Sequence, residues 1–434
     1  MDALTIRNAS AMPAPTWGWL KMNNAKVAIP AGLAPVGAVD VDAPQELFDN
    51  ARPFEVAVAE MQERVDAARG DTADDRACLR AAKTGGTRAD ADGDLGDLDI
   101  PALSRYQERA CREEAEGDIA RAFETGMGHD ARSYLNFLAG EPVALGTTEG
   151  ERARAVVRVE GEERAAAAVA VDVVAAPDSE LDLVIELDGT DDFGDADAAA
   201  LIGSELRVFA GARSRVNVTV YVCALPATVV LDDEGYVLDE GARLTVRHVV
   251  LGGGTTYTGL VADLRADGAR ADIDTSYLAT GAESRDFAYT VRHRGRKTVS
   301  NILANGVLAG TSKKVLRGTI DLVHGCKGSE GTERETVLIA SEGVDNKTVP
   351  TILCDEDDVA GNHGATIGHV RPDQLFYMMS RGISPEAAEA LFLTAKLEDA
   401  ALTAPTEGAR AAVARLAERL VEDFDIDETE EDAA

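Results

Sequence analysis

Short runs of alternating apolar and polar residues fill the middle of the chain, from about residue 150 to residue 354. Side chains alternate between the two faces of a strand, so Arg215–Val222 predicts a strand with one apolar and one polar face. Turns rich in Gly, Asp, Asn and Ser separate the runs, and no helical pattern lies between them. The pattern is typical of a sandwich, a barrel or a β-solenoid, and its length and regularity favour the solenoid. The predicted strands are Val156–Val159, Leu181–Leu187, Val216–Val222, Leu244–Val250, Tyr257–Leu264, Ala269–Tyr277, Phe287–Val291, Thr298–Val307, Val315–Val323 and Thr336–Ile339.

Helical periodicity appears on the N-terminal side of this array. Residues 44–69 and 103–139 are predicted as helices from their apolar spacing. Residues 85–99, between them, are rich in Gly and Asp and resemble a calcium loop. Because the closing glutamate of such a loop is missing, we interpret this segment as a solvated linker. Trp17 and Trp19 are predicted to anchor an N-terminal arm on the body of the protein.

Helices are also predicted after residue 370. Pro372 suits the first turn of the first helix, and Gly382 suits its end. Ser384 is the expected N-cap of a second helix, and a last helix carries one apolar face. Helical segments on both sides suit a solenoid, because the exposed strand edges at its ends need protection. The acidic tail, residues 425–434, is predicted to be disordered.

Composition and charge narrow the class of protein. Of the 434 residues, 45% are hydrophobic, and the net charge is −34. This excess of acid repels phosphates and argues against nucleic-acid binding. The N-terminus shows no apolar signal region, and no run of about 18 apolar residues predicts a membrane helix. The five cysteines are scattered without a CxxC pair, which indicates reduced thiols in a cytoplasm rather than disulfides or a structural zinc site.

The candidate chemistry concentrates near the end of the strand array. The motifs GxxxxGK[ST], GxSxG and HExxH do not occur, so we expect no nucleotide bound by this chain. His363 is the candidate metal ligand, because its small neighbours leave the imidazole open. Cys354 could share an iron with His363 only if the fold brings them together, and a buried, inert thiol is the alternative. The acidic run Asp355–Asp358 is interpreted as a solvated turn.

Two nearly consecutive segments, Asp355–Gly368 and Arg371–Ile383, resemble the C-terminal signature of the SufB/SufD family, the scaffold subunits of an iron–sulfur cluster assembly machine. The resemblance is strong over roughly residues 200–400 and weak before residue 150. It implies a right-handed parallel β-helix flanked by N-terminal and C-terminal helical regions. The expected divisions are an N-terminal helical region with an acidic linker, the β-helix core, a C-terminal helical domain and the acidic tail, at residues 1–148, 149–369, 370–424 and 425–434.

Two differences from SufB-like chains favour the SufD branch of the family. SufB-like chains carry a glutamate after the terminal histidine, where this chain has Gly364. They also carry a cysteine just before the strand predicted at Thr336–Ile339, where this chain has Glu333, Arg334 and Glu335. These differences argue against cluster formation on a thiolate of this chain alone. A homodimeric SufB-like scaffold remains an alternative. A β-solenoid enzyme acting on polysaccharide is more distant, because only 5% of the residues are aromatic.

The resemblance also implies partners for a non-catalytic scaffold subunit. His363 is expected at the interface with a SufB-like paralogue, or with a second copy, where iron or a transient iron–sulfur cluster would be held. Cys354 is the second candidate for that site. In the family, C-terminal helices dock SufC, an ATPase of the ABC type, and an exposed helix presented to a groove suits this role. The candidate docking residues are Gln374, Phe376, Tyr377, Arg381 and Ile383.

Overall fold

The computed structural model describes residues 4–14, 22–69, 124–189, 199–369 and 372–421. The protein is mostly β-structure, a β-solenoid of about eight turns with helices toward both ends of the chain. The predicted fold class is therefore confirmed. The tryptophan anchor, the acidic linker, the predicted helix up to residue 123 and the acidic tail all lie outside the described residues.

The described elements comprise six helices and twenty strands. The helices are α1 (Gln45–Asp49), α2 (Phe54–Arg69), α3 (His129–Ala139), α4 (Pro372–Ser380), α5 (Pro385–Leu402) and α6 (Glu407–Leu420). The first strands are β1 (Leu4–Ala9), β2 (Ala25–Ile29), β3 (Ala34–Pro35), β4 (Val39–Asp42) and β5 (Val143–Gly146). The remaining strands are β6 (Arg152–Glu160), β7 (Ala165–Ala175), β8 (Glu180–Asp188), β9 (Ala200–Ala210), β10 (Arg215–Cys223), β11 (Thr228–Leu238), β12 (Arg243–Val250), β13 (Thr255–Leu264), β14 (Arg270–Ala279), β15 (Ser284–His293), β16 (Val299–Leu308), β17 (Lys313–Leu322), β18 (Ser329–Ile339), β19 (Asp345–Cys354) and β20 (Val359–His369).

Consecutive strands of the solenoid alternate between two sheets. The even sheet has the order β4-β6-β8-β10-β12-β14-β16-β18-β20, and the odd sheet has the order β3-β7-β9-β11-β13-β15-β17-β19. From β6 to β20, strands that lie one turn apart pair in parallel, whereas β4 pairs with β6 in the antiparallel sense. The register places Val216 of β10 between Leu181 and Leu244, so apolar side chains stack in continuous rows.

The core lies between the two sheets, where the inward rows of Val, Leu, Ile and Ala meet. Val216 and Leu244 are fully buried there. Burying one such side chain contributes roughly 1.5–3 kcal/mol to folding. Corners between strands use the left-handed backbone region, as at Gly241 and Gly268 with φ of 62° and 71°, a conformation that costs glycine little. The glycine-rich turns of the sequence therefore mark corners of the solenoid.

The N-terminal region packs on the outer face of the odd sheet. Helices α1 and α2 confirm the helical prediction for residues 44–69. The antiparallel pair β1–β2 and helix α3 form one apolar layer, in which Tyr134 and Leu135 meet Leu201 and Leu231. Strands β1 to β4 also lie in this region, and the sequence pattern did not predict them.

The last two helices lie along the outer face of the even sheet. Leu397 of α5 and Val413 of α6 belong to one apolar cluster with Tyr221 and Val249 of the sheet. The predicted N-cap is confirmed, since the Ser384 hydroxyl accepts a hydrogen bond from the Ala387 amide at 3.1 Å. No helix in the described ranges is long and apolar enough to cross a lipid bilayer.

The solenoid ends in a turn that the C-terminal helices leave largely uncovered. Most residues of β20 are exposed, and the strand pairs with β18 on one side only. Strand β19 likewise ends the odd sheet. The expected protection of this end by helices is therefore wrong for the described part of the chain, and two strand edges of 10 and 11 residues remain open.

Candidate functional site

His363 lies in the last strand of the solenoid, not in a loop. In β20 it pairs with Glu333 of β18, and it belongs to the row of side chains that continues the solenoid interior. Its Nδ1 is 3.8 Å from Oε2 of Glu333, and about a third of its side chain (32%) is exposed. The imidazole therefore lies at the mouth of the interior, with one side open and the other against a buried carboxylate.

Glu333 is a buried carboxylate whose oxygens have no hydrogen-bond partner in the described structure. Burial and, to a smaller extent, the neighbouring Glu335 raise the pKa of Glu333, Lys314 lowers it, and together they bring it to about 7. Gly318 on the opposite strand makes room for it, because a Cβ there would lie 2.4 Å from the Glu333 carboxyl carbon. An unpaired buried carboxylate is costly for the fold, so this one is a candidate ligand rather than a structural element.

A second buried polar group is centred on Glu335, two residues after Glu333 on β18. This carboxylate is paired with the Lys314 ammonium, and both side chains are fully buried. Thr348 contacts both partners: it accepts a hydrogen bond from Lys314 at 3.1 Å and donates one to Glu335. Tyr277 also donates to Glu335, at 3.2 Å. Glu335 is therefore satisfied by cross-links that join β14, β17, β18 and β19.

Cys354 and His363 are not brought together. Cys354 ends β19, and its exposed thiol donates to the carbonyl of Glu356 at 3.3 Å. Gly361 faces Ile352 across the interior, and the two strands run in opposite directions from that pair. Cys354 and His363 thus diverge along the strands by about 13 Å, at roughly 3.3 Å per residue. The alternative of an inert buried thiol is also wrong, because Cys354 is exposed.

The acidic run after Cys354 forms the corner between β19 and β20. Glu356 accepts backbone hydrogen bonds from Gly325 at 2.9 Å and from Asp357 at 3.2 Å. These bonds lower its pKa, the Gly325 amide most of all. Glu356 therefore stabilises this corner by accepting hydrogen bonds from backbone N–H groups.

The candidate docking residues lie on and just after α4. Phe376 and Tyr377 are 73% and 59% exposed. The guanidinium of Arg381 lies over the Tyr377 ring at 5.2 Å and donates to its hydroxyl at 3.0 Å. Gln374 and Tyr377 line a cavity of about 510 Å³ between α4, α5 and the ends of β18 and β20, and Ile383 is half-buried. We call Gln374, Phe376, Tyr377, Arg381 and Ile383, of which all but Ile383 are exposed, the α4 surface.

Sequence reasoning missed the interior partners of His363. The sequence reasoning named Glu333 and Glu335 only as residues that stand where SufB-like chains carry a cysteine. It did not consider Lys314 and Thr348. A signal was present: Glu333, Glu335 and Val337 alternate with exposed or half-exposed residues in β18, so they share the inward face. Strand β18 begins at Ser329, seven residues before the predicted start at Thr336, and this shortened prediction hid the alternation.

The fold and the site together define a class of protein. It is a β-solenoid with flanking helices, whose open end carries a histidine and buried carboxylates. The family profile for SUF system FeS cluster assembly, SufBD core domain, matches residues 157–396, more than half of the chain. The chain therefore belongs to the SufBD family, and the resemblance noted in the sequence is confirmed.

The curated relatives agree on the family. The chain is 32% identical over 168 residues to the iron–sulfur cluster assembly protein SufD of Bacillus subtilis, covering 39% of this chain and 38% of that protein. It is 29% identical over 139 residues to a SufBD family protein of Mycobacterium leprae, covering 32% of this chain and 16% of that protein. A chloroplastic SufBD family protein of Arabidopsis thaliana is 25% identical over 174 residues, with 40% and 31% covered. The chain thus covers well under two thirds of each of these relatives.

Proposed function

We propose that this chain is a SufD-like scaffold subunit of the SUF iron–sulfur cluster assembly complex. In this proposal it pairs with a SufB-like subunit through the open turn of the solenoid and docks the SufC ATPase on the α4 surface. The observation that carries the proposal is the uncovered last turn, with His363 and Glu333 at its mouth. The chain acts as a scaffold and not as a catalyst, and the free thiols of Cys223, Cys326 and Cys354 in the described residues suit a reducing cytoplasm.

Pairing is supported by the chemistry of the open edges. Strands β19 and β20 present backbone N–H and C=O groups that no described strand pairs on their outer side. Exposed edges of this kind accept a strand from another chain. Ile352 and Ile367 are exposed on the same turn, at 39% and 51%, and a partner would cover them. A paralogue places two different end turns face to face, whereas a second copy places two identical ones.

The iron-binding role rests on the donors at the mouth of the interior. Iron is the substrate here, and an imidazole nitrogen and a carboxylate oxygen suit ferrous iron. The 3.8 Å between His363 and Glu333 lies within the span that two ligands of one ion can take, at most roughly 4.2 Å for bonds of about 2.1 Å. Because Cys354 lies too far along β19 to join them without a rearrangement, the partner subunit would supply the thiolates.

Docking of the ATPase is supported by the exposure of α4. Aromatic side chains and arginine are the residue types that dominate the binding energy of interfaces. Phe376, Tyr377 and Arg381 combine these types on one surface, and the Arg381–Tyr377 contact orders both side chains before binding. A helix with this exposed side suits a groove in a globular partner.

The test is anaerobic copurification from cells that express the chain with a SufB-like subunit and SufC, followed by iron and sulfide analysis. The proposal expects a complex of the three chains, and His363→Ala should lower bound iron and sulfide while leaving the complex intact. His324→Ala is the matched control, because His324 is 80% exposed at another corner. Recovery of a homodimer with SufC alone would favour the homodimeric scaffold. A chain isolated alone, without iron and indifferent to the ATPase, would refute the proposal.

A further inference from the structure

One level of the solenoid interior is polar, far from the open end. On β11 the inward row reads Val230, Asp232, Glu234, Tyr236 and Leu238, so two carboxylates interrupt an apolar row. On β12 the inward row places His248 between apolar residues in the same way. The side chains of Asp232, Glu234 and His248 have no solvent exposure. Burying two carboxylates and an imidazole in an apolar core is costly unless something compensates them.

The three side chains converge. Nε2 of His248 is 3.0 Å from Oε1 of Glu234 and 3.9 Å from Oδ2 of Asp232. All three candidate ligand atoms lie within 4.8 Å of one another. Two atoms that bind one ion at about 2.1 Å are separated by roughly 3 to 4 Å. Small side-chain adjustments are thus enough to place one ion among them.

One oxygen of this group has no hydrogen-bond partner. Oδ1 of Asp232 accepts from the Ser204 hydroxyl at 2.8 Å, and Oε2 of Glu234 accepts from the Tyr236 hydroxyl at 2.8 Å. Oδ2 of Asp232, fully buried, receives no hydrogen bond in the described structure. It points toward His248, so the unsatisfied oxygen, the Glu234 oxygen and the imidazole nitrogen share one small space.

The residues around His248 hold its imidazole ring in one orientation, as neighbouring residues commonly do for a histidine that binds a metal. Thr275 and Tyr289 place their hydroxyls 3.4 Å from Nδ1 of His248, where either hydroxyl oxygen can accept a hydrogen bond from the Nδ1–H group. The Tyr289 ring stacks on the imidazole at 5.5 Å, with 10° between the planes. A histidine that binds a metal through one nitrogen usually donates from the other. With Nδ1 as the donor, the lone pair of Nε2 faces the two carboxylates, where an ion would replace the hydrogen bond between Nε2 and Glu234.

We propose that Asp232, Glu234 and His248 form an interior binding site for one divalent first-row transition-metal ion. Imidazole with two carboxylates, and no thiolate, suits Mn²⁺, Fe²⁺ or Zn²⁺. A divalent ion neutralises both carboxylates and occupies the open oxygen of Asp232. This site lies on β11 and β12, whereas His363 lies on β20, and it does not depend on the proposed assembly function.

The test uses the full chain with Zn²⁺ alone as the probe. The protein is measured as isolated and after prolonged incubation with ZnCl₂, and excess Mg²⁺ is used to displace ions from surface carboxylates before gel filtration and metal analysis. The proposal expects one retained equivalent of Zn²⁺ that His363→Ala leaves in place. The double variant Asp232→Asn, Glu234→Gln, which keeps side-chain volumes, should lose it, as should His248→Gln.

A second measurement keeps the test decisive if those variants do not fold. Wild-type protein loaded with Co²⁺ should show visible absorption, and X-ray absorption of the Zn²⁺ form should show a shell of nitrogen and oxygen with one imidazole. The metal should also raise the melting temperature of the wild-type chain. A folded wild-type chain that retains no Zn²⁺, or folded variants that retain as much as the wild type, would overturn the proposal, and a protonated His248 paired with Glu234 would then account for the cluster.

Discussion

Removing one charge of the Lys314–Glu335 pair should be among the most damaging single changes in the last turns of the solenoid. In Lys314→Met the apolar side chain replaces the ammonium, while Glu335 stays fully buried with only Thr348 and Tyr277 as donors. Loss of one partner from a buried ion pair typically costs about 3–5 kcal/mol, because the remaining charge has no compensation. That is a large share of the roughly 5–15 kcal/mol that stabilises a typical domain.

A second substitution separates lost pairing from lost packing. In Lys314→Met with Glu335→Gln, the amide oxygen can accept from the Tyr277 hydroxyl and the amide nitrogen can donate to the Thr348 hydroxyl, so most of the loss should be recovered. Urea unfolding gives the free energy for the four proteins of this double-mutant cycle. Hydrogen exchange should place the damage in β17 to β20, because the turns of a solenoid contact only their neighbours. A single variant that loses less than about 1 kcal/mol, the size of an exposed ion pair, would refute the reasoning, as would a double variant no more stable than the single one.

Three further predictions concern other parts of the molecule. Burial lowers the pKa of His293 to about 4 from its ordinary 6.5. The neutral imidazole therefore gives the folded state about 3 kcal/mol of stability that is fully present above pH 6.5 and is lost as the pH falls toward 4. In urea unfolding, the stability of His293→Gln should fall less steeply with decreasing pH than that of the wild type, and an equal fall would contradict this. Gly306→Ala should cost about 1–3 kcal/mol, since the new Cβ would lie 2.0 Å from the Tyr277 ring; a wild-type melting temperature would show that the ring moves freely. Under the proposed docking of SufC on the α4 surface, Phe376→Ala should leave the melting temperature unchanged but weaken SufC binding by tenfold or more, about 1.4 kcal/mol, in calorimetric titration. Leu402→Ala, at a residue 67% exposed on α5, should bind normally.

The sequence pattern predicted most accurately the strands whose outer face is exposed to solvent. Arg215–Val222 alternates because the outer side chains of β10 are partly exposed at its start, whereas β7 is buried along its whole length. Helices α2 and α3 cover the outer face of β7, β9 and β11, so polar residues were not needed there and the period of two disappears. Strands β7, β9 and β11, which the sequence pattern missed, are thus those that the N-terminal region packs against, whereas the missed strands β19 and β20 lie at the open end of the solenoid.

The candidate site was predicted only in part for a different reason. His363 is recognisable from its small neighbours and from the family signature, but its partner Glu333 becomes visible only when β18 and β20 are paired in register. The separation of Cys354 from His363 depends on the reversal of direction between β19 and β20. Nine positions in sequence contain no information on whether that reversal brings two side chains together or moves them apart.

The open last turn has a consequence for how the cell must supply this subunit. A turn with a neighbour on one side only is the first to fray, and its free edges can join other edges without limit. Under the proposed pairing, production of the chain in excess of its partner would therefore leave copies with a shortened lifetime. The charge of −34 makes free copies repel one another and delays their self-association. Under the same proposal, balanced synthesis of the two subunits, rather than any property of the monomer, would set how much of the protein persists.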